Sequence, residues 1–261
     1  MRIAILGAGH MGSWLAKELS SGHEIAIYNR TPEKAKTVAS ALRNTNVLPS
    51  IAALEQFKPD MLINAVSLQN TMEAFEEAAK HISRECIIVD VASVKSGIPE
   101  YYAKSGRRFV SLHPMFGPTF ANVEALEDEN AVIIRESDPE GAAFFRKLFE
   151  RLRLRIFDYT FSEHDQMMAY SLTVPFASTL VFAACMNSKA VPGTTFKKHM
   201  KIAKGLLSED DHLLAEILFN PNSLVELEKV ANRLEFLKHI IRGKDYEEAR
   251  KFFAKLRKNI S

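Results

Sequence analysis

The 261-residue chain is long enough for one large domain or two smaller ones, and 47% apolar with 25% charged residues is the balance of an ordinary globular protein, which excludes a disordered or fibrous chain. The net charge of +2 comes from interspersed charges of both signs and gives no basic surface for nucleic acid and no pull toward a strongly acidic partner; only Lys197–Lys204 is locally basic. Two distant cysteines, Cys86 and Cys185, have no metal-ligand spacing and read as buried free thiols in a reducing cytoplasm.

The chain opens on an apolar strand, Ile3–Leu6, with no basic-then-apolar leader ahead of it. The strand runs into Gly7, Gly9 and Gly12, followed by the helical pattern Trp14, Leu15, Leu19. This is G-x-G-x-x-G in the context that gives it meaning. The first glycine makes the tight turn, the second lets the backbone approach a pyrophosphate, and the third lets helix and strand pack closely. The helix N-terminus then faces the anion. A second strand at Glu24–Tyr28 completes the βαβ unit.

The end of that second strand selects the dinucleotide. An acidic residue there holds the ribose hydroxyls of NAD; here the sequence is Tyr28-Asn29-Arg30-Thr31, and a guanidinium suits the 2′-phosphate of NADP. NADP is therefore the expected cofactor, with NAD the alternative. Thr31 also stands where it would cap the helix opened by Pro32 and Glu33. His10 and Met11 in the glycine loop, and Val66 and Ser67 after the strand Met61–Val66, complete the expected cofactor contacts.

Strands and helices keep alternating: helix Pro32–Leu42, strand near Val47, helix Ile51–Gln56, strand Met61–Val66, helix Thr71–His81, strand Ile87–Val91, strand Phe109–Leu112, strand Ala131–Ile134, helix Pro139–Leu148 and strand Arg155–Tyr159. The pattern predicts a parallel, doubly wound α/β sheet of Rossmann type over residues 1–159. Two of its strands end in chemistry. V-D-V-A-S-V-K at Val89–Lys95 and F-V-S-L-H-P-M-F-G-P at Phe109–Pro118 put Ser93, Lys95 and His113 in loops at carboxyl ends of strands, where open sheets bind ligands.

From residue 160 the pattern is helical only. Gln166–Ser188 is uncharged over 23 residues, long enough to raise a membrane span, but Pro175, five Ser/Thr residues and Asn187 lower its hydrophobicity. The expectation is a buried helix that pairs with a second copy of the chain, with no membrane partner. Helices follow at Lys197–Leu207, at Glu209–Leu218 capped by Ser208, at Pro221–Arg242 capped by Asn220 and stopped by Gly243, and at Tyr246–Lys258.

Taken together, G-A-G-H-M-G, V-D-V-A-S-V-K, H-P-M-F-G-P and E-H-D-Q-M-M-A-Y at Glu163–Tyr170 resemble the prephenate dehydrogenase family of tyrosine biosynthesis. The resemblance implies a Rossmann domain (1–159) followed by an all-helical dimerisation domain (160–261), and oxidative decarboxylation of prephenate with hydride transfer to NAD(P). By resemblance His113 bonds the substrate's ring hydroxyl and Ser93 orients His113, while His164 and Asp165 match the family's H-D pair. A neutral imidazole is a suitable acceptor for that hydroxyl proton near neutral pH. Lys95 is a candidate substrate contact.

Two departures stand out. Where the family carries a further histidine this chain has Thr173-Val174-Pro175-Phe176, and where it carries a carboxylate-binding arginine this chain has Lys204-Gly205. His199, Lys201 and Lys204 are the candidate replacements, although lysine lacks arginine's bidentate fork. The alternatives kept open are a dehydrogenase of arogenate or of a small β-hydroxy acid, and a non-catalytic dinucleotide sensor, which would have no use for His113.

Overall fold

The computed structural model describes residues 1–116, 126–187 and 191–260. Gly117 and Pro118 of the H-P-M-F-G-P segment, and Ser188 at the end of the uncharged stretch, lie outside the described residues.

Among the described residues, eight strands form one sheet in the order β3-β2-β1-β4-β5-β6-β7-β8: β1 (Arg2–Leu6), β2 (Glu24–Tyr28), β3 (Thr45–Val47), β4 (Met61–Asn64), β5 (Ile87–Asp90), β6 (Phe109–Pro114), β7 (Asn130–Ile134) and β8 (Arg155–Tyr159). The central strands are apolar on both faces because helices cover both. On one face α1 (His10–Leu19) and α6 (Pro139–Arg151) bury Trp14, Leu15, Phe145 and Phe149 against Ile3, Ile5, Val89 and Leu112. On the other, α4 (Thr71–Ala78) and α5 (Ile98–Ser105) bury Phe75, Ile98 and Tyr102 against Ala4, Leu62 and Ile88. The short helices α2 (Pro32–Ser40) and α3 (Leu54–Phe57) complete the first half.

Strands β1 to β6 are parallel, and the order reverses between β1 and β4, so their carboxyl ends share one ligand-binding edge. The expectation of a wholly parallel sheet needs one correction. Strand β7 is antiparallel to β6, with His113 opposite Val132, and β8 follows parallel to β7 across the α6 crossover. An antiparallel pair needs no crossover helix, unlike the parallel pairs before it.

Beyond Tyr159 the described residues hold helices only: α7 (Phe161–Met168), α8 (Val174–Ala184), α9 (Thr194–Leu206), α10 (Asp211–Leu218), α11 (Ser223–Gly243) and α12 (Tyr246–Asn259). A π-helical turn, Ala169–Thr173, joins α7 to α8 into a run, Phe161–Ala184, long and apolar enough to cross a membrane by length and composition alone. The π-turn comes just ahead of Pro175, which has no N–H for the regular ladder. The run's first turns carry Glu163, His164 and Asp165, and His164 is packed against the sheet.

Several local expectations change. Helix α10 is capped by Asp210, whose carboxylate accepts from the His212 and Leu213 amides, and not by Ser208. Helix α11 includes Gly243, and Lys244 takes the left-handed conformation after it (φ 50°). Its N-cap position is held by Asn222, not Asn220. Cys86 is buried, as read, but Cys185 is exposed at the end of α8, because the apolar stretch around it is not enclosed within the chain.

Candidate active site

The glycine loop is held by contacts that no other residue would permit. Gly7 has φ +102°, and a Cβ there would come within 2.5 Å of the Ala65 carbonyl oxygen; a Cβ on Gly12 would fall 2.0 Å from the Gly7 oxygen. A Cβ on Gly9 would meet nothing within 4 Å, so the backbone there faces open space. Gly9 is also the N-cap of α1, with no side chain closing the helix's first amides. That is a cradle for a pyrophosphate: a helix N-terminus, unobstructed backbone and no side chain in the way.

The cradle opens into a cleft of about 420 Å³ lined by Gly7, Gly9, Asn29, Arg30, Thr31, Val66 and Ser67, all expected from the sequence. The Asn29 carboxamide accepts from the Ala8 amide (3.0 Å) and donates to the Thr31 carbonyl (2.9 Å), bracing the glycine loop against the end of β2. Arg30 is exposed and makes no ion pair among the described residues. Thr31 occupies the N-cap of α2 but its hydroxyl makes no capping bond. His10 and Met11 sit in the first turn of α1, outside the cleft lining, and Gly12 is buried beneath it.

Lys34 was not foreseen and lines the same cleft. It stands in the first turn of α2, where the helix dipole disfavours a cation unless an anion is present, and that misplaced charge was the signal in the sequence.

Three strands along from β1, at roughly 4.8 Å per strand, His113 lies near the carboxyl end of β6 on the same edge of the sheet; it is paired within the strand opposite Val132, not in the loop expected, because β7 extends the ladder past Leu112. It is 6% exposed, and its Nδ1 lies 3.0 Å from Nε2 of His164, which is 0% exposed. Nδ1 of His164 in turn lies 3.2 Å from the Asp165 carboxylate. The carboxylate only accepts, so the network assigns the His164 proton to Nδ1 and leaves its Nε2 as an acceptor. His113 must then donate from Nδ1, which leaves its own Nε2 as a lone pair. Burial, reinforced by the charges of His164 and Lys95, holds His113 well below the ordinary 6.5, and burial lowers His164 in the same way. Both rings are neutral near pH 7.

Ser93 was expected to orient His113. It is half-buried in the loop after β5 and makes no hydrogen bond among the described residues; the ring's partner is His164. Lys95 was expected to face the substrate. Its side chain is 0% exposed, and its ammonium donates to Asp90 (2.5 Å) and to the Leu112 carbonyl (2.7 Å), so it presents no surface to a ligand. His199, Lys201 and Lys204 are exposed on α9, a helix that packs chiefly on α8, and the structure does not bring them to His113. His199 leans on Phe182 and faces the Thr195 carbonyl. Thr173, where the family has a histidine nearby, is buried and bonded to Ser223 of α11 (2.6 Å).

Solved structures with the same fold include a prephenate dehydrogenase from Aquifex aeolicus in complex with hydroxyphenyl propionate and NAD+ (TM-score 0.84, 21% identity, covering 100% of this chain and 98% of that one). Synechocystis arogenate dehydrogenase is similar too (TM-score 0.79, 20% identity, covering 99% and 98%). In sequence, the chain is 23% identical over 264 residues to a Methanocaldococcus jannaschii protein named "Probable arogenate/prephenate dehydrogenase", covering 95% of this chain but 58% of that protein's length. The model of the prephenate dehydrogenase nucleotide-binding domain matches residues 15–153, more than half of the chain. The match runs from the helix behind the glycine loop, through the Asp90–Lys95 loop and His113, to the end of α6, and by it the chain belongs to the prephenate dehydrogenase family.

Proposed function

We propose that this chain is a prephenate dehydrogenase that converts prephenate to 4-hydroxyphenylpyruvate and carbon dioxide, with NADP the preferred hydride acceptor and NAD the weaker one. The observation that carries the reading is the Asp165–His164–His113 chain, with both rings buried and Asp165 half-buried, which assigns one tautomer and leaves His113 a lone pair at Nε2.

A bound nicotinamide would supply the hydride acceptor, held by Gly7, Gly9, Asn29, Arg30 and Thr31. The substrate's C4 loses its hydride, the ring carboxylate leaves as carbon dioxide, and the ring becomes aromatic. His113 Nε2 takes the C4 hydroxyl proton as the hydride leaves and returns it to the phenolate oxygen once the carbon dioxide has gone, so the product keeps its hydroxyl. A base placed in this way contributes on the order of 10²- to 10⁴-fold in rate. As the proton arrives at His113, the lone pair of His164 keeps hold of the His113 Nδ1–H, and Asp165 steadies the charge from behind. A dinucleotide sensor would need the glycine loop but none of this.

Arogenate is the second reading. Lys204 and Gly205 stand where the resembling enzymes hold the substrate carboxylate with arginine, and the solved Synechocystis relative acts on arogenate by its name. Purified protein assayed with each substrate and each dinucleotide, following reduced nicotinamide, tests both. Turnover of prephenate with NADP is the expected result, and turnover of neither substrate would end the proposal.

The reading includes a homodimer through the helices beyond Tyr159. Leu227, Leu234 and Ile241 repeat every seven residues on α11 and are exposed, as are Tyr170 and Phe219 nearby in the fold. A second copy of the same stripe is the partner that such spacing fits. Sedimentation should give a dimer at micromolar concentration. Leu234→Glu, which removes about 1.5 kcal/mol of burial in each copy, should weaken it about a hundredfold; a wild-type monomer would refute the assembly.

A further inference from the structure

The V-D-V-A-S-V-K loop has no part in the reaction at the site described above, yet it holds the most enclosed ion pair among the described residues. Asp90 and Lys95 are 0% and 1% exposed. Asp90 ends β5, and three groups converge on it: the Lys95 ammonium at 2.5 Å, the Tyr102 hydroxyl at 2.8 Å and the Ala92 amide at 3.2 Å. The second bond of Lys95 goes across to β6, to the carbonyl of Leu112 at 2.7 Å, one peptide ahead of His113. Tyr102 comes from α5 and is itself stacked on Phe109 at the start of β6 (ring centroids 4.0 Å). The cluster therefore grips β6 at both ends, by its first ring and by its last carbonyl before the base.

A buried ion pair contributes little net stability compared with apolar side chains of the same shape. Its retention here needs another reason, and its placement supplies one. We propose that Lys95, held by Asp90 and Tyr102, is a positioning residue for His113: it fixes the peptide that carries the base and places an ammonium, paired with Asp90, beside the His113–His164 pair. The proposal rests on His113 being the base.

Among the described residues, the charged and titratable groups around His113 are few. His164 and, behind it, Asp165 approach from α7; Lys95 approaches from the loop after β5, with Asp90 and Tyr102 behind it. The charge of Lys95 disfavours protonation of both rings, whereas Asp90 and Asp165 favour it at His164. Lys95 thus adds to burial, the larger cause, in keeping the base unprotonated, and a neutral side chain in its place should let His113 take up a proton at higher pH.

Either Lys95→Met or Asp90→Asn alone strands a buried charge and is expected to unfold the chain. The informative variant is Asp90→Asn with Lys95→Met, which removes both charges, keeps an acceptor for the Ala92 amide and offers the Tyr102 hydroxyl an NH2 from which it can accept. It should bind NADP as the wild type does and keep KM within a few-fold, while kcat falls by about ten- to a hundredfold, the effect of a small misplacement at a reacting group. Its acid limb should move to higher pH, and the His113 ring, followed by NMR, should titrate at higher pH than in the wild type. Unchanged kcat with an unmoved ring titration would overturn the proposal. Should the double variant fail to fold, Tyr102→Phe, which loosens Asp90 and keeps both charges, should lower kcat a few-fold, and an unchanged kcat would count against positioning. The ring titration is independent of turnover, so a protein that oxidises neither substrate would defeat the assignment of the reaction and leave the titration to decide the role of Lys95.

Discussion

Two sites on one edge of the sheet are built in opposite ways. The dinucleotide cleft is made of backbone, glycines and exposed side chains: Gly9, Arg30 and Lys34 face open space. The His113 site is made of enclosed side chains that satisfy one another: Asp165 to His164 to His113, and Tyr102 to Asp90 to Lys95 to the strand beneath the base. In the open cleft a charge is screened and acts alone, so a substitution there should be local and sensitive to salt. In the closed site each group holds the next, so a substitution should be transmitted and insensitive to salt.

The sharpest way to break the comparison is at the base itself. His113→Asn keeps a side chain of similar size that still donates to His164 but removes the lone pair. We expect kcat to fall by about 10²- to 10⁴-fold, with NADP affinity within twofold of wild type. Near-full turnover would mean that the closed site positions substrate without moving a proton. The pH profile should show the same enclosure. Because His113 is held well below 6.5, activity should persist below pH 6.5 and fail only as the buried base is finally protonated. Stability follows the same sign. The unfolded chain takes up protons below about pH 6.5 that the buried rings refuse, so their contribution is full above that pH and is lost as pH falls toward their folded values. An acid limb centred at 6.5 would show that His113 is solvated.

The open cleft should answer differently. Arg30→Ala removes a charge-assisted contact to a 2′-phosphate, worth about 1.5–3 kcal/mol, so NADP should bind about ten- to a hundredfold more weakly while NAD changes little. The loss should shrink as salt is raised. Equal weakening of both dinucleotides, in parallel titrations, would remove the phosphate from Arg30. Lys34→Ala should show the same preference more weakly.

The contrast also explains what was legible in the sequence. The cleft is local: Gly7, Gly9 and Gly12 serve a turn and a helix start within one βαβ unit, and Asn29-Arg30-Thr31 follows directly from the second strand. Spacing alone reveals such a site. The closed site is assembled from residues 51 positions apart, His113 and His164, and no period or spacing links a strand end to a helix start that far along the chain. The same holds for Lys95 and Leu112, 17 residues apart. Strand direction was misjudged at β7 for a related reason, since apolar runs look alike in parallel and antiparallel sheets. What the sequence did carry there was the choice of residue types: an aspartate at a buried strand end, and a lysine five residues later, are unfavourable unless they meet.

The smallest expected effect tests how the closed site is wired. Resemblance to the family places the orienting bond to His113 on Ser93, whereas the geometry places it on His164. Ser93 makes no hydrogen bond among the described residues, so Ser93→Ala should change kcat by less than about threefold, short of the full 0.5–1.5 kcal/mol of a lost bond. His164→Phe should cost more. It leaves the His113 Nδ1–H buried with no acceptor, at about 1–3 kcal/mol, and frees the ring to adopt the other tautomer, so kcat should fall by about tenfold or more. The two variants compared under identical conditions decide the matter by their order. If Ser93→Ala proves the more damaging, the serine and not His164 orients the base.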